Sequence, residues 1–244
     1  MEYQAATDLL AGKTILVTGA GAGIGKTTAI TYAKHGARVI LLGRTVAKLE
    51  AVYDEIEALG APQPAIIPMD LKGATEQHYR DMADTIEGQF GQLDGLVHNA
   101  GALGVLGPFA QIGEEMWDEV MQVNVKAQFL MTKALLPVLE KSPQAAIIFT
   151  SSGVGRQSRA YWGVYAISKF ATEGMMQTLA SELAGSQVRA NCINPGATQT
   201  NMRAKAYPAE DAAQLKQAVD LMPTYLYLMG ADSADVNGQS LNAQ

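Results

Sequence analysis

Six short apolar runs separated by five longer amphipathic stretches set the frame into which this chain folds. The runs at residues 14–17, 38–42, 65–69, 93–98, 145–150 and 188–193 read as buried strands, and a last short strand is expected at 239–242. The stretches at 23–35, 46–59, 75–90, 114–139 and 161–183 read as helices. Strands separated by single helices imply right-handed parallel crossovers. The expected fold class is therefore α/β: a doubly wound parallel sheet of about seven strands with helices on both faces. No linker, repeat or low-complexity segment interrupts residues 1–244, so one domain is expected. Residues 198–223 are the least regular stretch and read as a substrate cap over the site.

Composition narrows the function classes. Of the 244 residues 48% are hydrophobic and 17% charged, which suits a sizeable core and excludes disorder. A net charge of −6 with no long run of one sign argues against a nucleic-acid or anionic-membrane partner. Cys192 stands alone, and His35, His78 and His98 are scattered, so neither an internal disulfide nor a metal cluster is expected. Residues 1–12 carry Glu2 and Asp8 and no basic residue, unlike a signal peptide, and no apolar run reaches membrane-spanning length. A cytoplasmic setting fits.

The first strand runs into Thr18-Gly19-Ala20-Gly21-Ala22-Gly23-Ile24-Gly25, with a helix following. Four glycines at 19, 21, 23 and 25 exceed what a tight turn requires. Glycines let backbone approach a phosphate, and the helix N-terminus offers amide donors and a positive dipole. Two functional readings compete. Ala20-x-x-x-x-Gly25-Lys26-Thr27 is a degenerate P-loop, which would make a nucleotidase, with Asp70 posing as a magnesium-holding carboxylate. The other pattern is Thr-Gly-x-x-x-Gly-x-Gly. Further along come His98-Asn99-Ala100-Gly101, Asn124, Ser152, Tyr165, Lys169 and Asn194-Pro195-Gly196. Each falls at the carboxyl end of an expected strand or on the helix after it, the edge where open parallel sheets bind ligands. A P-loop enzyme has no use for this series.

Taken together, these motifs resemble the short-chain dehydrogenase/reductase family over about residues 12–242, and the resemblance implies a Rossmann fold. The wording HNAG at 98–101, GVGRQ at 153–157, SKFATEGMMQ at 168–177 and NCINPGAT at 191–198 is similar to the bacterial YciK-type oxidoreductases. The resemblance implies hydride transfer between a nicotinamide and a small-molecule carbonyl/alcohol pair. Tyr165 would be the general acid for reduction and general base for oxidation. Lys169, one helical turn away, would hold the nicotinamide ribose and lower the Tyr165 pKa. Ser152 would hydrogen-bond the substrate oxygen, and Asn124 would anchor a water linking Lys169 to solvent. Gly19, Gly21, Gly23, Ile24 and Gly25 would line the pyrophosphate, Asp70 and Leu71 the adenine, and Asn99, Ala100 and Gly101 the adenine ribose. Pro195, Gly196 and Thr198 would flank the nicotinamide, and Thr200 would reach its carboxamide. A catalytically weak NADP(H)-sensing protein is the alternative. The complete set of Asn124, Ser152, Tyr165 and Lys169 argues against it.

Relatives that prefer NAD place an acid where Gly43 stands, to hold both ribose hydroxyls. Here that acid is absent and Arg44 follows, with Lys48 a turn later. A guanidinium binds phosphate through a planar fork of donors, so NADP(H) is expected over NAD(H). Ala22 stands where many NADP enzymes carry a base. His98 replaces the first asparagine of the usual Asn-Asn-Ala-Gly and reads as a satisfied buried histidine. Met202, Arg203, Lys205, Tyr207 and Lys216 are candidate substrate contacts in the cap. Arg156, Arg159, Tyr161 and Trp162 are expected to border the cleft, and an arginine there would attract an anion or sit at an interface. By analogy with the family, the long helices 114–139 and 161–183 would pair chains into a homodimer or homotetramer.

Overall fold

All seven strands run parallel in one sheet. The computed structural model describes residues 3–244; Met1 and Glu2, which the expected domain range includes, lie outside the described residues. The strands are β1 (Thr14–Thr18), β2 (Arg38–Gly43), β3 (Ala65–Pro68), β4 (Gly95–His98), β5 (Ala145–Thr150), β6 (Val188–Asn194) and β7 (Ser240–Asn242). Their spatial order is β3-β2-β1-β4-β5-β6-β7. The chain winds outward from β1 to β3, then returns to lay β4 on the other side of β1. That reversal opens a crevice at the carboxyl ends of β1 and β4.

The helices are α1 (Gly23–Lys34), α2 (Val46–Ala58), α3 (Glu76–Phe90), α4 (Glu114–Met121), α5 (Ala127–Leu139), α6 (Gly163–Glu182), α7 (Asn201–Ala206) and α8 (Met222–Met229). Successive side chains of a strand point to opposite faces, and β1 divides accordingly. Leu16 packs with Tyr79 of α3, Met131 of α5 and Met176 of α6. Ile15 and Val17 pack with Tyr32 of α1, Val52 of α2 and Tyr225 of α8. Both faces of the sheet are thereby covered, as its nearly uniform apolar strands require.

Two expectations change. The helix expected over 114–139 is broken: α4 and α5 are joined by a π turn at Gln122–Lys126. The wider turn brings Asn124 fully inward, and such turns recur at functional sites. The second change is α8, which had no counterpart in the sequence reading. It is apolar nearly all round (Met-Pro-Thr-Tyr-Leu-Tyr-Leu-Met), so it has no polar stripe to give a helical period. The cap region also holds α7, whose first turn Thr200 caps by accepting from the Arg203 amide at 3.1 Å. Among the described residues, no helix is long and apolar enough to cross a membrane.

Candidate active site

Thr18 stitches the crevice together. Its hydroxyl donates to the Val97 carbonyl at 3.1 Å and accepts from the amides of Asn99 at 2.9 Å and Ala100 at 3.0 Å. Asn99 answers by donating from Nδ2 to the Thr18 carbonyl at 3.1 Å. Gly19 follows with φ of +67°, a left-handed turn that glycine adopts without strain, and a Cβ there would lie 3.1 Å from the Ala100 Cα. Gly25 lets α1 press onto this knot: a Cβ would lie 2.5 Å from Asn99 Nδ2 and closer still to the Gly19 carbonyl.

The mouth of α1 suits a phosphate. Ala22 occupies the cap position, no side chain caps the helix, and its first turn carries no acid. The orphan amides of that turn are therefore open to an anion. The P-loop alternative loses its two side chains. Lys26 is paired with Glu55, and Thr27 Oγ1 donates to the Gly23 carbonyl at 3.1 Å. Thr200 closes the turn from the opposite side, its methyl 3.6 Å from where a Gly23 Cβ would sit.

At the far end of the crevice, α6 and the end of β5 bring the expected triad together. The Ser152 hydroxyl stands near enough to the Tyr165 phenol to favour its ionised form. Lys169 Nζ lies 5.7 Å from the Tyr165 ring centroid. Lys169 is fixed by donating to the Thr150 carbonyl at 2.7 Å. Burial pushes the phenol up to about 12, with the Ser152 contact pulling the other way. Loss of water drives this rise, and the expected lowering by Lys169 does not contribute to it. Burial also brings Lys169 down to about 8, while Cys192 and Glu173 oppose that fall.

Asn124 holds the floor. Its Oδ1 accepts from the Ala102 amide at 2.7 Å, and its Nδ2 donates to the Ala102 carbonyl and to Ser168 Oγ, both at 2.9 Å. Ser168 Oγ then donates to the Tyr165 carbonyl at 2.7 Å. Asn124 thus ties the loop after β4 to the turn of α6 that carries Tyr165. Between them lies a niche that glycine keeps open: a Cβ on Gly101 would meet Asn124 Oδ1 at 3.4 Å and Lys169 Nζ at 3.9 Å.

The remaining expected cofactor residues share this edge of the sheet. Arg44 is exposed where β2 ends, one residue before Thr45 at the start of α2, whose first turn also lacks an acid. Asp70 is exposed after β3 and accepts from the Lys72 amide at 3.1 Å; Leu71 is buried. Pro195 and Gly196 form the turn after β6, with the Gln244 carboxamide docked on it. Thr198 is buried, its hydroxyl donating to the Pro195 carbonyl at 3.2 Å, so that side chain is spent within the turn. Lys216 is drawn into a backbone bridge with Thr198. His98 is the satisfied histidine expected: Nε2 lies 2.8 Å from Thr132 Oγ1, and the ring stacks on Phe149 with centroids 4.8 Å apart.

Arg156 is structural. It bonds to Glu173 at 3.3 Å and to Asn242 Oδ1 at 2.8 Å, fastening β7 to α6. The sequence reading named neither Thr150 nor Ser168 as functional. Ser168 lies within the Tyr165–Lys169 segment, and Thr150 two residues before Ser152, so proximity to the motif was their only signal. Thr18 stood in the glycine motif without a role.

Comparison with known proteins follows the same lines. A family model described as short chain dehydrogenase matches residues 13–211. The chain is 50% identical over 244 residues to the uncharacterized oxidoreductase YciK of Escherichia coli K12, spanning 100% of this chain and 96% of that one. A short chain dehydrogenase structure from Shigella flexneri 2a, complexed with NADP, superposes with a TM-score of 0.96 at 50% identity, covering 98% of this chain and 100% of that one. One from Escherichia coli CFT073, complexed with NADPH, has a TM-score of 0.96 at 51% identity and the same coverage.

Proposed function

The chain belongs to the short-chain dehydrogenase family and is an oxidoreductase, and from that premise we propose that it uses NADP(H) to interconvert a carbonyl and an alcohol, with Tyr165 as the general acid/base. The observation that carries this reading is the convergence of Ser152, Tyr165 and Lys169 on one buried point beside the glycine-lined crevice. When bound, NADPH supplies the hydride that adds to the carbonyl carbon.

The chain's own residues do the rest. The open amides of α1 take the pyrophosphate, and exposed Arg44 takes the 2′-phosphate at the mouth of α2. That two similar structures hold NADP or NADPH supports the same preference here. Ser152 donates to the substrate oxygen, and Tyr165 delivers its proton there as the carbon–oxygen double bond becomes an alcohol. A phenol raised to about 12 is fully protonated at neutral pH, so the proton for reduction is in place. Positioned proton transfer of this kind contributes about 10²–10⁴-fold in rate. Lys169, held by Thr150, keeps positive charge near the phenolate that forms and, with the Gly101 niche beside it, grips the ribose. Asn124 positions both by holding Ala102 and, through Ser168, the Tyr165 backbone. Exposed Trp117, Phe129 and Phe170 on α4, α5 and α6 support association of copies through these helices.

The test is NADPH oxidation across ketones, aldehydes, quinones and keto-acyl thioesters, with Tyr165→Phe as the blank. Turnover that survives in Tyr165→Phe removes the acid/base assignment. Tight ATP binding without NADPH binding overturns the whole reading.

A further inference from the structure

The surroundings of Tyr165 are apolar in a way the proton chemistry does not require. Tyr165 clusters with Val154 and Ala166, and Leu103, Trp162 and Met202 pack onto that cluster. Trp162 stands between two phenols: its ring lies 5.6 Å from that of Tyr165 and 6.0 Å from that of Tyr207 in the cap. Met202, on the first turn of α7, reaches in far enough to lie 3.9 Å from where a Gly101 Cβ would sit. The wall opposite the catalytic phenol is therefore carbon and sulfur, supplied by three separate elements.

Nearby charges are accounted for elsewhere. Arg203, the residue after Met202, is clamped by Glu210 through two bonds of 2.6 Å and stacks on Tyr207 at 3.9 Å. Arg156 is turned away into Glu173 and β7. Arg159 and Lys205 are exposed to solvent. A substrate carboxylate seated here would lose its water, and the ammonium beside the phenol, Lys169, is already held by the Thr150 carbonyl, so the desolvation penalty is poorly offset.

We propose that this cleft takes uncharged carbonyl compounds with apolar flanks, seated between Trp162 and Met202 with the carbonyl oxygen toward Tyr165, and discriminates against carboxylate-bearing ones. The inference rests on the reading of Tyr165 as the proton donor to a carbonyl.

Binding and turnover can be measured separately, because Trp117 and Trp162 are the only tryptophans. Trp117→Phe leaves Trp162 as the sole indole reporter beside Tyr165. With NADP⁺ bound, cyclohexyl methyl ketone is titrated against cyclohexylglyoxylate, which carries a carboxylate in place of the methyl group. Quenching of Trp162 at concentrations at least about tenfold lower for the ketone is expected. Met202→Lys places a cation in the wall and should reverse the order; Met202→Leu should preserve it. The same pair is then assayed with NADPH. Quenching by the ketone without its reduction leaves the cleft assignment standing and removes the hydride-transfer reading. Equal or tighter binding of the carboxylate with Met202 in place overturns the cleft assignment, whatever the turnover.

Discussion

Lys169 donates from Nζ to the Thr150 carbonyl at 2.7 Å, so the buried ammonium is held by the end of β5 rather than left to the helix that carries it. Burial weakens that ammonium, and Glu173, one turn further along α6, works against the loss. Because the folded pKa is brought down to about 8, Lys169 is cationic below that pH and neutral above it. The kcat/KM for reduction reports free-enzyme ionisations and should fall on an alkaline limb near pH 8. Removing the Glu173 charge lowers Lys169 further, so Glu173→Gln should move that limb to lower pH, while its neutral-pH kcat stays within a few-fold. A limb that does not move would show that Glu173 serves only to anchor Arg156 and β7.

Tyr165 shifts the other way. A phenol raised to about 12 keeps its proton through neutral pH, which on the proposed reading suits reduction and handicaps alcohol oxidation, where the tyrosine must first be a base. Oxidation rates with NADP⁺ should climb from pH 7 to 8 as reduction stays flat, before the loss of the Lys169 charge cuts into both directions. Parallel profiles for the two directions would contradict this.

On the proposed reading, Arg44 sets the cofactor preference. A charge-assisted bond to phosphate is worth roughly 1.5–3 kcal/mol, so Arg44→Ala should raise the KM for NADPH by about ten- to a hundredfold and leave that for NADH nearly unchanged. An equal effect on both would mean that Arg44 is a solvated surface charge.

Gly25 tests the close approach of α1 to the crevice. A methyl at this position meets the Gly19 carbonyl and Asn99 Nδ2. Overpacking of this kind costs roughly 1–3 kcal/mol, so Gly25→Ala should lower the Tm and weaken NADPH binding together. A lowered Tm with unchanged NADPH affinity would separate the helix contact from the phosphate site.

His98 makes the protein acid-sensitive. Burial, helped by the Lys169 charge, pushes its imidazole down to about 3. The unfolded chain binds that proton from about pH 6.5 downward, and the folded protein does not until about pH 3. Stability is therefore full above pH 6.5 and is lost as pH falls through that window, at up to about 1.4 kcal/mol per unit. His98→Asn should flatten the dependence of Tm on pH between 6.5 and 4, whatever its effect on absolute stability. An unchanged slope would place the acid lability elsewhere.

Strands and connections were legible because they are written locally. The apolar run at 145–150 is β5 to the residue, and the glycine turn before α1 lies where its spacing put it. The π turn was not legible. Gln122–Lys126 has no composition that distinguishes it from the helices on either side, and its form is set by the Asn124 amide reaching the Ala102 backbone. Helix α8 escaped because an element buried nearly all round has no polar face to mark its period.

For the site, the types and order of Ser152, Tyr165 and Lys169 follow from sequence, since residue spacing on a helix is a matter of geometry alone. What the sequence could not determine is their electrostatic state. It could place Lys169 one turn from Tyr165, but whether the ammonium or the loss of water sets the phenol's pKa depends on what covers both. That cover comes from residues distant in the chain: Thr150 at the lysine, Leu103 and Met202 packed on the tyrosine's cluster, and Asn124, which reaches the same turn through Ser168. Folding put them there, and burial sets the phenol's pKa because it strips water from the group that would carry the charge.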